Sequence, residues 1–281
     1  MAGDTWKRRS MARWLTGDGI EIGALHNPLH LPEGARVRYV DRASSADLYR
    51  RYPDQGELVP ISSIGDACDL SAIEAHSLDF VVANHVVEHL QDPIRGLREM
   101  ARVIRPGGLL YLAIPDQRAT FDRRRPATSV AHLVDEYHQG TEATRRAHVT
   151  EYVELAERGE PGQAAARESV AERVDILLET DYSIHYHVFR PDTFIELLSA
   201  AQREAATAFE LVAFEGCDAP QDDEFIFLLG KTVAPQPRAT PPLVPGVHMP
   251  PLPEPSGPEL LASIRARGWR RLRRTLRKRP G

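Results

Sequence analysis

Cysteine is scarce in this chain: Cys68 and Cys217 are the only two in 281 residues. Two thiols exclude a disulfide framework and a cysteine-built zinc cluster, and they suit a reducing compartment. Long hydrophobic runs are absent too; no stretch reaches the roughly 20 apolar residues a membrane-crossing helix requires. The opening MAGDTWKRRSMARW is basic but lacks the apolar core of a secretory signal. The expected location is the cytoplasm. A net charge of −5 removes any global attraction to nucleic acid. That total conceals an asymmetry, because residues 259–281 hold nine Arg/Lys and one Glu, a balance of +8 that leaves −13 for the remainder. No internal repeat is visible. What remains is ordinary for a globular protein, 42% hydrophobic and 27% charged, and long enough for one sizeable α/β domain with additions.

The most ordered stretch runs from Leu78 to Asp116. Apolar runs at Leu78–Ala83 and Leu109–Ile114 read as strands, with a helix between them. That helix sets Ile94, Leu97, Met100, Ala101 and Ile104 three and four apart, one buried stripe. Arg105-Pro106-Gly107-Gly108 stops it and turns the chain. This is a parallel βαβ unit. Ligands of such sheets sit beyond the carboxyl ends of the strands, so Asn84–His89 and Asp116–Arg118 point toward one crevice.

The segments DFVVANHVVEHL and RVIRPGGLLYLAIPD resemble the fourth to sixth motifs of class I S-adenosylmethionine-dependent methyltransferases, closest to the type 11 subgroup. The resemblance implies an α/β, Rossmann-like fold: a seven-stranded, mostly parallel sheet with an antiparallel last strand. It implies S-adenosylmethionine as cofactor. The first strand, Gly19–Gly23, ends in Glu21-Ile22-Gly23-Ala24, similar to the family's first motif, and Gly23 would let backbone approach the cofactor. Glu21, Gly23 and Ala24 are carried over as cofactor residues on that basis. The later glycines of that motif are replaced by Leu25 and Asn27, and Pro28, Pro32 and Gly34 leave no room for a crossover helix. A dinucleotide pyrophosphate wants those glycines and a helix N-terminus. A sulfonium nucleoside carries no phosphate and tolerates a loop.

Asp41 closes the second strand, Arg36–Val40, where an acidic side chain accepts from ribose hydroxyls. A helix is expected over Ser44–Gln55 and a short strand over Leu58–Ile61. Gly65-Asp66-Ala67 resembles the third motif, which assigns Asp66 and Ala67 to the adenine; Asp69 would cap a helix from Ser71. Asn84 and His85 fall at the methionine end of the cofactor. Glu88 suits the dipole of a helix start, and His89 either bonds neighbouring backbone or acts directly.

Residues 1–18 form a leader helix with Trp6, Met11, Trp14 and Leu15 on one side. It covers either the cofactor or a sheet edge. Residues 19–116 and 186–232 make the cofactor-binding core, and 117–185 a helical insertion where this family commonly builds its acceptor lid. His132, Asp135 and His138, three apart, raise a two-His, one-carboxylate metal site. A solvated helix face is the plainer reading, and no metal is expected. A hydroxyl acceptor needs a base working near neutral pH, which histidine supplies. His132, His185 and His187 are the candidates, with Asp116 orienting the acceptor. His185-Tyr186-His187-Val188-Phe189-Arg190-Pro191 resembles the family's link into its last core helix, Asp192–Gln202, and Phe209–Phe214 and Glu224–Lys231 are the final strands.

Residues 233–258 are a proline-rich linker, and 259–281 a basic amphipathic helix suited to an anionic membrane face or a polyanion. The expectation is O-methylation of a small molecule or saccharide, with no nucleic acid bound, because the acidic core opposes a phosphate backbone. The rivals are a non-catalytic interaction module tethered by its basic tail, and a nucleic-acid methyltransferase.

Overall fold

A computed structural model describes residues 5–53, 56–158, 168–217 and 222–232. The expected proline-rich linker and basic tail therefore lie outside the described residues. In chain order the elements are helix α1 (Trp6–Ala12), strands β1 (Gly17–Ile22) and β2 (Ala35–Asp41), helix α2 (Ser45–Arg51), strands β3 (Ile61–Ile64) and β4 (Leu78–Asn84), helix α3 (Pro93–Val103) and strand β5 (Ile104–Pro115). Helices α4 (Val130–Gln139), α5 (Glu142–Glu151), α6 (Val170–Glu179) and α7 (Pro191–Ala205) follow, then strands β6 (Phe209–Glu215) and β7 (Glu224–Lys231).

The strands form one seven-stranded sheet in the order β3-β2-β1-β4-β5-β7-β6. Neighbours are parallel except at β7, which runs antiparallel to both β5 and β6. The order reverses between β1 and β4, so the carboxyl ends of β1, β2 and β4 surround a switch-point crevice.

Alternation along the central strands divides the core. Val81 and Ala83 of β4, with Leu110, Leu112 and Ile114 of β5, face α3, α4 and α7. Phe80, Val82, Tyr111 and Ala113 face the other way, toward Met11, Ala12 and Leu15 of the leader. Helix α3 starts as its sequence dictates, with Asp92 accepting from the Arg95 amide and Pro93 in the first turn.

Several boundaries differ from expectation. Strand β3 begins at Ile61 instead of Leu58, and Ser71 starts a turn rather than a helix. Strand β5 begins at Ile104, because a register irregularity opposite Leu78–Phe80 lets Arg105–Gly108 continue the extended chain. The leader's apolar stripe is also corrected. The α-helix ends at Ala12, so Met11 and Leu15 are buried while Trp6 and Trp14 are 78% and 51% exposed. Between β1 and β2 the chain is a loop, as the prolines require.

The insertion carries its own small core of Val149, Val153, Val174, Leu177, Ile184 and Tyr186. Arg125, wholly buried, ties the segment after β5 to α5 and to the link before α7. It pairs with Asp122 at 2.8 Å and Glu151 at 2.9 Å, and donates to the carbonyls of His185 and Tyr186.

Candidate active site

Gly23 turns the chain off β1 at φ +67°, a conformation that favours glycine, and a Cβ there would press on Val86 at 3.2 Å. Glu21 lies one layer behind. It is fully buried, and both its oxygens accept from the Leu29 amide at 3.0 Å while Asn84 Nδ2 donates at 3.2 Å. Burial pushes this carboxyl up to about 7. Expected to bind a cofactor, Glu21 instead shapes the loop that would do so. Ala24 is buried in that loop.

At the tip of β2, Asp41 is buried and its Oδ1 accepts from the Ala43 amide at 3.2 Å. Burial raises its pKa, so the site holds an acceptor that lacks full solvation. Asp66 is exposed and accepts from the Cys68 amide at 2.7 Å, which presents Ala67 in a tight turn. At the tip of β4, the Asn84 Oδ1 is buried with no hydrogen-bond partner among the described residues. An orphaned acceptor beside a glycine cradle and two strand-tip aspartates is an acceptor set for a nucleoside with a cationic amino acid end. The residues fit that group.

His85, at φ +52°, sends Nε2 to Glu224 Oε2 at 2.8 Å. Glu224 also receives a two-pronged pair from Arg8, at 2.8 and 2.6 Å. Burial alone would raise Glu224, but Arg8 and His85 hold it down to about 2. Burial opposes protonation of His85, yet Glu224 and Glu88 raise its pKa overall. The leader helix thus meets the crevice through a buried Arg8–Glu224–His85 chain, and the ring nitrogen of His85 is committed to the protein.

The expected bases separate once their partners are seen. His185 Nδ1 lies 2.6 Å from Asp122 Oδ2, so Nδ1–H donates to the carboxylate and Nε2 keeps its lone pair. That Nε2 faces Glu88 Oε1 at 4.0 Å. Glu88 is buried, and both its oxygens lack a hydrogen-bond partner beyond its own residue. Asp122 stays ionised; burial would raise it, but His185 and Arg125 lower it. His89 has a backbone role: Nδ1–H donates to Ile184 O at 2.8 Å, and burial pushes the ring down to about 3. Phe121 covers the His185 ring at a centroid distance of 4.8 Å.

Two expected roles fail on geometry. His187 is fully buried with Nε2 donating to Gln91 O at 3.2 Å, so neither nitrogen reaches the crevice. Asp116 is 1% exposed, and Arg118 holds both its oxygens at 2.9 and 2.6 Å. It fixes Arg118 beside a separate pocket of about 420 Å³ lined by Arg190, Asp192, Phe214 and Cys217. His132 lies on α4 among other insertion histidines, 3.1 Å from His148. The triad weighed against a solvated helix face does not form, because His138 pairs with Glu204 at 3.0 Å and Asp135 is exposed.

Sequence reading missed Asp122 and gave Glu88 only a helix-start role. Asp122 stands directly before Arg123-Arg124-Arg125 and is masked as part of a basic run. Its signal was Thr120 two residues earlier, whose hydroxyl caps the Asp122 amide at 3.3 Å.

Residues 16–112 match a family described as "Methyltransferase domain", type 11. Over 102 residues the chain is 33% identical to an uncharacterised 37.1 kDa protein in a transposon of Streptomyces fradiae, covering 36% of this chain and 28% of that protein. The chain therefore spans under a third of that relative's length. Among solved structures, a SAM-dependent methyltransferase from Thermotoga maritima is 17% identical with TM-score 0.40, covering 77% of this chain and 83% of that one. The N-methyltransferase NodS from Bradyrhizobium japonicum, in complex with S-adenosyl-L-homocysteine, is 15% identical with TM-score 0.40, covering 77% and 79%.

Proposed function

We propose that the chain, whose residues 16–112 match the methyltransferase-domain family, is a class I S-adenosylmethionine-dependent methyltransferase that methylates a hydroxyl oxygen of a small molecule or saccharide. When bound, S-adenosylmethionine supplies a methyl group already activated on a sulfonium. The protein's task is then alignment and removal of one proton. Asp41 would accept from the ribose hydroxyls, Asp66 and Ala67 would meet the adenine, and Asn84 Oδ1 would accept from the ammonium.

The observation that carries the oxygen assignment is the Asp122–His185 pair. Asp122 fixes the tautomer that leaves Nε2 free to take a hydroxyl proton. Glu88, whose pKa burial raises, lies 4.0 Å from that nitrogen. His185 is the base in this reading, and Asp122 is a positioning residue that acts through it.

Radiolabelled methyl transfer to a panel of saccharides and phenolic, aliphatic and amine acceptors tests the proposal. Hydroxyl acceptors should turn over, and His185→Ala should abolish that turnover while S-adenosylmethionine still binds. Turnover of amines alone, or hydroxyl turnover unaffected by His185→Ala, would overturn it.

A further inference from the structure

Apart from the His185 pair, three more imidazoles and one carboxylate converge where the insertion meets the link before α7. His132 and Glu136 are four apart on α4 and share a face. His148 comes from the last turn of α5, and His187 from the strand-like link before α7. One ligand-capable atom from each lies within 4.8 Å of all the others. His148 Nε2 is 2.8 Å from Glu136 Oε1, His132 Nε2 is 3.3 Å from that same oxygen, and the two imidazole nitrogens are 3.1 Å apart. His187 Nε2 is 3.4 Å from Glu136 Oε2.

Hydrogen bonding alone does not account for this arrangement. A neutral imidazole nitrogen carries one proton or one lone pair. A proton on His148 Nε2 can serve Glu136 or His132, not both. Glu136 Oε2 stays buried with no hydrogen-bond partner. A cation at the centre would use a lone pair from every member. The four closest separations, 2.8–3.4 Å, lie around the ~3.3 Å edge of a tetrahedron built on ~2.0–2.1 Å metal–ligand bonds, and a small closure would draw in the rest of a set that spans at most 4.8 Å.

We propose that His132, Glu136, His148 and His187 bind one divalent transition metal, zinc by preference, as a structural clamp. Three nitrogens and one oxygen in a closed set of four suit zinc, and they leave no open position for chemistry. The Thr144 hydroxyl already donates to Glu136 Oε1, an outer contact of the kind that orients metal ligands. His187 is the last ligand to engage, since its Nε2 must leave Gln91 O at 3.2 Å. His132, 35% exposed, marks the entry side. The ion would tie α4 and α5 to the link that carries His185 two residues upstream, and so hold the lid against the core.

Full-length protein, stripped with a chelator, is titrated with zinc and separately with cobalt. The expected results are one equivalent bound, a raised melting temperature with zinc, and the intense visible absorption of tetrahedral cobalt. His148→Ala and Glu136→Gln should each weaken zinc binding beyond the roughly 10–100-fold that outer contacts contribute, whereas His138→Ala should leave it unchanged. Stripped protein with native circular dichroism that takes up neither ion overturns the proposal, as does unaltered zinc affinity in both ligand variants. If those variants do not fold, the cobalt spectrum and stoichiometry of the native chain decide the matter alone.

Discussion

The Nδ1 of His185 and the Oδ2 of Asp122 stand 2.6 Å apart, across 63 residues of chain. Asp122 is itself anchored by Arg125, so the carboxylate cannot turn away from the ring. Asp122→Asn should therefore lower kcat by about 10²–10⁴-fold, the usual worth of a positioned base. KM for S-adenosylmethionine should stay near its native value, and Asp122→Glu should restore part of kcat. A structural role alone would move KM and melting temperature together. Steady-state kinetics with circular dichroism separates the two.

In the proposed reading Asp41, at the β2 tip, accepts from the ribose hydroxyls. Its replacement by alanine removes charge-assisted hydrogen bonds and should weaken cofactor affinity by about 1–3 kcal/mol. Calorimetry checks this. An unchanged dissociation constant would contradict the ribose assignment.

The Arg8–Glu224–His85 chain gives stability a pH signature. Glu224 titrates near 4.5 when unfolded and is held at about 2 when folded. Its contribution is present above pH 4.5 and is lost as pH falls toward 2. By linkage that amounts to about 3 kcal/mol. His85 has the opposite sign: its folded pKa is raised, so its contribution is full below 6.5 and fades as pH rises through the folded value. Glu224→Gln leaves Arg8 buried without its counter-charge and should destabilise by about 3–5 kcal/mol. Urea unfolding between pH 3 and 8 should show a flattened acid limb in the variant.

Gly19 packs β1 against β4. A Cβ there would overlap the Phe80 ring, whose side chain is fully buried. Gly19→Ala should cost about 1–3 kcal/mol through overpacking. Thermal unfolding measures it.

The sheet was legible because its strands are apolar runs of the right length. Leu78–Asn84 and the stripe on α3 need no tertiary information to be read, and neither does the loop that the prolines force after Gly23. The pairs that define the site were not legible. Asp122 meets His185, and Glu224 meets Arg8 across 216 residues, only after the sheet has closed. Within α4 the informative spacing was His132 to Glu136, four apart, rather than His132 to Asp135 and His138. Asp135 points to solvent and His138 pairs with Glu204, so neither joins His132. His187 was expected at the crevice because it precedes the last core helix at the sheet's carboxyl edge, but the fold buries it completely.

A co-crystal structure with S-adenosylhomocysteine tests the central claim most directly. The account predicts the nucleoside across the ends of β1, β2 and β4, its ribose on Asp41, its amino acid end at Asn84, and its sulfur facing His185. Ligand density elsewhere, or a crevice closed by the chain's own side chains at saturating ligand, would contradict it.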